Sequence, residues 1–202
     1  ALNLGLDLDN TGNAYVSGHF QGPAFIDGSP LPSGGFPTLG INSVPLSGGD
    51  VAPYIIKFNS NGDFQWVVPI QNASGPKTST GTLWDVSVKD SKLFAIGNAV
   101  TNVALDFGGS LITLPATRGQ FIARYNLNGV LEDHAVLPQY SNAFKLETVN
   151  GGKVYIGGYY GGGVLMTEIY DHDLNPVKTM HTGPGSSLDA VWALAPDISG
   201  DF

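Results

Sequence analysis

The first side chains in this sequence whose types and spacing could do chemistry are Asp7-x-Asp9-x-Thr11-Gly12. Alternating carboxylates can converge their oxygens on one hard cation, and a glycine permits the turn that wraps it. The pattern therefore partly resembles a calcium loop. Thr11 stands where a third acid would, and Tyr15 where a closing carboxylate would be useful. Asp171-x-Asp173-x-Asn175 is a second arrangement of this kind. Asx side chains also start turns without any metal. Calcium at Asp7 and Asp9 is one expectation, and plain turn capping is the other.

Four histidines occur, at 19, 134, 172 and 181. Glu132-Asp133-His134 sets two carboxylates beside an imidazole, but adjacent strand residues point to opposite faces. Only Glu132 and His134 can share one, on what reads as a solvated outer strand. Tyr159 and Tyr160, flanked by glycines, could stack on a sugar ring or insert into a partner, and His19 joins them as a candidate ligand-binding residue. The glycines of 157–163 do not make a nucleotide loop, because phosphate-binding glycines need a helix N-terminus behind them and Val164-Leu165-Met166 reads as strand. Neither a Gly-x-Ser-x-Gly elbow nor a His-Glu-x-x-His helix occurs, and the sequence nominates no catalytic residue.

The elements that must position these residues repeat. Gly12-Asn13-Ala14-Tyr15-Val16-Ser17-Gly18 returns as Ser91-Lys92-Leu93-Phe94-Ala95-Ile96-Gly97 and as Gly152-Lys153-Val154-Tyr155-Ile156-Gly157-Gly158, and starts again at Gly200-Asp201-Phe202. A second phrase, Ile56–Gly62, recurs as Ala123–Gly129 and more loosely as Glu168–Leu174. Internal repetition constrains architecture before any single motif is weighed. Period-2 alternation at Leu4, Leu6 and Leu8 predicts a first strand with one apolar face, matched by Trp84, Val86 and Val88, by Phe144 and Leu146, and by Trp192 and Leu194. Second strands follow around Tyr15, Phe94 and Tyr155. Third strands at Tyr54–Phe58, Phe121–Tyr125 and about Leu165–Tyr170 lead into the hairpin turns Asn61-Gly62 and Asn128-Gly129. Fourth strands return over Phe64–Ile70 and Val130–Leu137.

Four antiparallel strands per repeat make one propeller blade. The reading is all-β, a β-propeller of about three and a half blades. Blade one covers about 1–72 with a loop insertion at 22–49, blade two about 82–138, blade three about 142–182, and a fourth starts at about 188–202. The insertion carries Pro23, Pro30, Pro32, Pro37 and Pro45, and prolines at that density break strands. A long loop of this kind is also a place where function can sit.

Composition narrows the partners. Only 13% of residues are charged and 42% are apolar, while 28 glycines and 13 prolines suit short strands and tight turns. The net charge is −8 with nine Lys plus Arg, which argues against duplex nucleic acid and anionic membrane surfaces. With no cysteine, disulfides and thiolate metal sites are excluded. No apolar run approaches the roughly 18 residues of a membrane-spanning helix.

With the strands placed, the run Asp9-Asn10-Thr11-Gly12-Asn13-Ala14-Tyr15-Val16-Ser17-Gly18-His19-Phe20-Gln21-Gly22 resembles the opening of a bacterial seven-bladed β-propeller repeat of the SBBP type. Gly48-Gly49-Asp50, Tyr54–Gly62 and Phe64-Gln65-Trp66 are similar to its later half. Repeat two has Asp133 in place of Trp66, and repeat three lacks both that Trp and the Asn-Gly turn. The resemblance implies a secreted or cell-surface protein, typical of environmental bacteria. The function expected is a non-enzymatic scaffold for structural assembly, adhesion or protein and glycan binding, able to polymerise into a filament. An enzyme acting on polysaccharide through acids such as Asp7 and Glu147 at the propeller centre is the alternative. Phe202 falls inside a repeated strand, and fewer than about four blades do not close a ring. Missing blades of the same protein, or further copies of the chain, are therefore the expected partners.

Overall fold

Where the sequence alternates, the backbone is extended, and the computed structural model is all-β. It describes residues 2–21, 25–26, 29–30, 51–73, 81–115, 119–138, 142–149, 151–160 and 164–181. The 22–49 insertion and the 188–202 stretch lie largely or wholly outside these residues. Among them there is no helix, and all paired strands are antiparallel.

The first meander is β1 (Leu2–Leu8), β2 (Ala14–Gln21), then β5 (Val51–Phe58) and β6 (Phe64–Asn72), in that spatial order. Between β2 and β5 sits a short hairpin, β3 (Phe25–Ile26) with β4 (Ser29–Pro30). The second meander is β7 (Thr82–Lys89), β8 (Lys92–Asn98), β11 (Gln120–Asn126) and β12 (Leu131–Val136). The third is β13 (Asn142–Val149), β14 (Lys153–Tyr160), β15 (Val164–Asp171) and β16 (Pro176–His181). The sheets are open.

Two hairpins depart from the expected four strands per repeat, β3–β4 inside the 22–49 insertion and another in the second repeat. Between β8 and β11, β9 (Ala104–Phe107) and β10 (Leu111–Thr113) fold back across Gly108-Gly109, both at positive φ. Rather than staying with its own meander, β9 pairs with β6 of the first, through Ile70↔Phe107, Gln71↔Asp106 and Asn72↔Leu105. The first sheet thereby has six strands.

The three meanders share their irregularities. Each first pair carries a bulge at one register, with Leu4, Trp84 or Phe144 as the extra residue. Each third pair carries another, at Gln65, Glu132 or Val177. The turns are shared too. The side-chain oxygen of Asp9 accepts from the backbone N–H groups of Thr11 and Asn13 at 2.9 and 3.0 Å. Asn59 does the same for Asn61 and Asp63, Asn126 for Asn128 and Val130, and Asp171 for Asp173 and Asn175. Three residues after each cap the backbone turns to positive φ, at Gly12, Gly62, Gly129 and Leu174. Leucine there costs on the order of 1 kcal/mol, offset by burying its side chain in the core.

The larger core lies between the first and second meanders. Tyr15, Ile55 and Ile70 meet Val86, Ala123 and Tyr125, with Leu105 and Phe107 of the hairpin wedged in at the outside. Phe107 and Phe121 meet edge-on at 5.1 Å. Trp66 stands 6.0 Å from Tyr15 and donates to the Leu127 carbonyl at 3.3 Å. The second core joins the second and third meanders through Phe94, Ile96 and Ile122 against Leu146, Ile156 and Tyr170. Beside this core a groove of about 510 Å³ opens along Ala135, Val136, Glu168 and Tyr170.

The apolar face expected on the first strand is real but unevenly covered. Val86 and Val88 are 3% and 8% exposed beneath the first meander, whereas Leu6 and Leu8, at the same register of β1, are 64% and 56% exposed.

Candidate functional site

The shared bulge brings β1, β7 and β13 into one register, in which Gly5, Asp85 and Lys145 are equivalent, as are Asp7, Ser87 and Glu147. These positions reach from each first strand to the next. One Asp7 oxygen accepts from Leu8 N–H at 2.8 Å, the other from Val88 N–H at 2.6 Å. Asp85 accepts from Leu146 N–H at 3.0 Å, and Ser87 Oγ from Thr148 N–H at 3.1 Å. Ser87 and Thr148 hydroxyls lie 2.7 Å apart. Edge N–H groups of β7 and β13 are satisfied this way without a continuous sheet. Gly5 allows the approach: a Cβ there would lie 2.7 Å from the Asp85 Cα and 2.6 Å from Ser17 Oγ.

A small cleft runs along these strands, lined by Asp7, Asp85, Lys145 and Glu147. Asp85 is buried and pairs with Lys145 Nζ at 2.9 Å. Burial pushes its carboxyl up, against the hydrogen bonds and charge of Lys145 and the Leu146 N–H, which pull it down. Glu147 is half-buried and also raised, by burial first and then by the charges of Asp7 and Asp85. It accepts no hydrogen bond among the described residues.

At the N-terminal ends of the same strands the lining is aromatic and amide-rich. Trp84 meets Phe144 edge-on at 5.2 Å, and Phe144 meets Tyr159 at 5.6 Å. Asn142 Nδ2 donates to the Tyr159 hydroxyl at 2.6 Å. His19 lies on β2 with Nδ1 3.4 Å from Thr82 Oγ1, and burial lowers its pKa. Two residues read from sequence, His19 and Tyr159, are thus set at this end through Thr82, Trp84 and Phe144, while Tyr160 is exposed beyond them. Trp84, Phe144, Asp85 and Lys145 carry no site motif in the sequence. Their signal was the shared first-strand position.

Asp7 and Asp9 point to different donors. Asp7 bridges the two meanders, and Asp9 serves its own turn, its second oxygen accepting from Asn13 Nδ2 at 2.8 Å and Tyr15 Oη at 3.1 Å. Burial opposes ionisation of Asp9, but the Asn13 and Thr11 hydrogen bonds outweigh it and hold the carboxyl well below the usual range. Asp171 is lowered likewise, by Asn175 first. Among the described residues no three His, Asp or Glu side chains gather as a metal site. Glu132 lies at a bulge, with one oxygen 2.8 Å from Lys92 and 3.3 Å from Arg124, while His134 faces solvent.

These shifts set a pH dependence. Asp85, Glu147 and Glu168 are raised, all by burial first. A raised carboxyl contributes stability that is complete below its unfolded value and lost as pH climbs through its folded one. Asp9 and Asp171 are lowered, so their contribution is present above about pH 4 and lost as pH falls further. His19, lowered by burial, works the other way, but the three raised carboxyls set the sign, so the thermal midpoint is expected to rise as pH falls toward about 5, then fall below about pH 4. Calorimetry across that range checks this, and a midpoint that falls steadily from pH 8 to pH 5 contradicts it.

No family model matches the chain, and a comparison with curated proteins finds no match.

Proposed function

We propose that the chain is a non-enzymatic scaffold of propeller type, with the three meanders as blades. Its class is that of SBBP-like secreted or cell-surface proteins, and its work is assembly, adhesion and the binding of protein or glycan. The observation that carries this reading is the stepped hydrogen bonding from Asp7 to Val88, Asp85 to Leu146 and Ser87 to Thr148. It joins neighbouring units at one register, as radial stacking of blades requires. The Trp84–Phe144–Tyr159 ladder beside Asn142 supplies aromatic faces and an amide, the chemistry that recognises sugar rings.

A second reading rests on the cleft. Asp7, Asp85 and Glu147 approach one another there, and a carboxyl raised by burial suits a general acid in glycoside hydrolysis. One experiment separates the two. The purified chain is titrated against a panel of surface polysaccharides, with binding and released reducing ends both measured. The scaffold reading expects binding without turnover, weakened about tenfold or more by Trp84→Ala or Tyr159→Ala. Turnover that disappears in Asp7→Asn or Glu147→Gln overturns it in favour of the enzyme.

A further inference from the structure

We infer that Asn61 is a site of spontaneous covalent modification, deamidating in the folded protein while Asn128, in the same dipeptide and the same kind of turn, is held against it. The chemistry needs water alone. The Gly62 backbone nitrogen attacks Asn61 Cγ, a five-membered succinimide closes, and ammonia leaves, taking the proton from that nitrogen. Water then opens the ring to an aspartyl or an isoaspartyl residue. The nucleophile is the next residue in the chain, so the attack is intramolecular, and a glycine puts no side chain in its way.

By sequence and local geometry the two sites are alike. Each Asn-Gly lies in a turn capped from two residues earlier, Asn61 by Asn59 and Asn128 by Asn126. Each glycine is at positive φ and donates its N–H to the capping residue's carbonyl, at 2.9 Å for Gly62 and 3.1 Å for Gly129. Both asparagines are exposed. An amide N–H held in such a bond gives up its proton poorly. Either site therefore reacts through an opened turn, and the cost of opening sets the rate.

That cost is where the two sites part. The carbonyl of Leu127, beside Asn128, accepts across the meander contact from Lys57 Nζ at 3.1 Å and from Trp66 Nε1 at 3.3 Å. Gly129 is buried under the same tryptophan, where a Cβ would lie 3.0 Å from Val68 and 3.3 Å from the Trp66 ring. At the Asn61 turn, residues 60–63 are exposed, and nothing among the described residues lies within 4 Å of a Cβ on Gly62. The hydrogen bonds of this turn are made within its own hairpin, from Asn59, Asp63 and Gln65. An isoaspartyl product would lengthen the main chain between the Asn61 and Asp63 N–H groups, setting the two donors out of register with the Asn59 cap.

Peptide mass mapping of the full 202-residue chain, warmed at mildly alkaline pH, tests this, since cleavage after lysine and arginine puts the two sites on separate peptides. Asn61 is expected to convert about tenfold faster than Asn128 or more, because two cross-meander hydrogen bonds must break before the second turn opens. In urea strong enough to unfold the chain the two rates should converge, the dipeptides being the same. Trp66→Phe and Lys57→Met each remove one donor to Leu127 and should speed Asn128 severalfold while leaving Asn61 unchanged. Equal rates in the folded chain overturn the inference. So does an Asn61 that stays intact in the folded chain over the time in which the unfolded chain converts. Variants that leave Asn128 as slow as in the parent also overturn it, since the tethers would then not be what protects that site.

Discussion

Phe107→Ala is expected to cost about 4 kcal/mol of unfolding free energy, the upper range for truncating a fully buried aromatic. The ring is fully buried and packs edge-on against Phe121 at 5.1 Å. Its backbone pairs with Ile70, so one residue belongs to the hairpin, touches the second meander and extends the first. The strands around it give little independent hold, since β9 has four residues and β10 three. Hairpins of that size are marginal alone, so removing the ring should loosen the hairpin as well as leave a cavity. Phe107→Leu keeps most of the volume and should lose less than about 1.5 kcal/mol. Urea denaturation of the three proteins measures both. An alanine variant within about 1 kcal/mol of the parent would show that β9–β10 contributes little to joining the meanders.

That hairpin was also the element least legible in the sequence. Leu105-Asp106-Phe107 and Leu111-Ile112-Thr113 are too short to show a period, and the Gly108-Gly109 pair between them was the available hairpin signal. Its destination was hidden altogether, because β9 pairs with a strand from the preceding repeat. By contrast, the all-β class and most strand positions were legible, because alternation, Asn-Gly turns and repeated phrases agree with one another. The Asp-x-Asp pattern also had a local cause, since Asp9, Asn59, Asn126 and Asp171 all cap turns in the same way.

The central residues were harder to read for a physical reason. Strands β7 and β13 lie at the contact between units, so residues on both of their faces are buried, and Asp85 and Ser87 sit among buried valines. A reading that assigns polar positions to solvent misplaces such residues. What a buried aspartate needs is a partner, and Asp85 finds it 61 positions away at Leu146. The register that delivers the partner depends on the bulges at Trp84 and Phe144, and alternation alone does not reveal a bulge.

Asp85→Ala should therefore be among the most damaging substitutions in the second meander, at about 3 kcal/mol. The carboxylate is 5% exposed and serves Val86 N–H, Leu146 N–H and Lys145 together. Lys145 keeps 30% of its side chain exposed and can turn toward water, which limits the penalty of stranding its charge. Leu146, 3% exposed, has no such escape, and a buried N–H left without an acceptor costs about 1–3 kcal/mol. Asp85→Asn retains a carbonyl for that N–H and should cost less than half as much. The gap between parent and variants should also widen toward pH 5, since burial raises the Asp85 carboxyl and protonation there favours the folded parent, a gain neither variant has. Denaturation of all three proteins at pH 7 and pH 5 makes the test. If Asp85→Ala and Asp85→Asn were equally destabilised, the ion pair with Lys145 would outweigh the hydrogen bond to Leu146. If neither lost stability, the contact between β7 and β13 would owe little to this residue, and the apolar packing of Phe94, Ile96 and Leu146 would hold the two meanders together by itself.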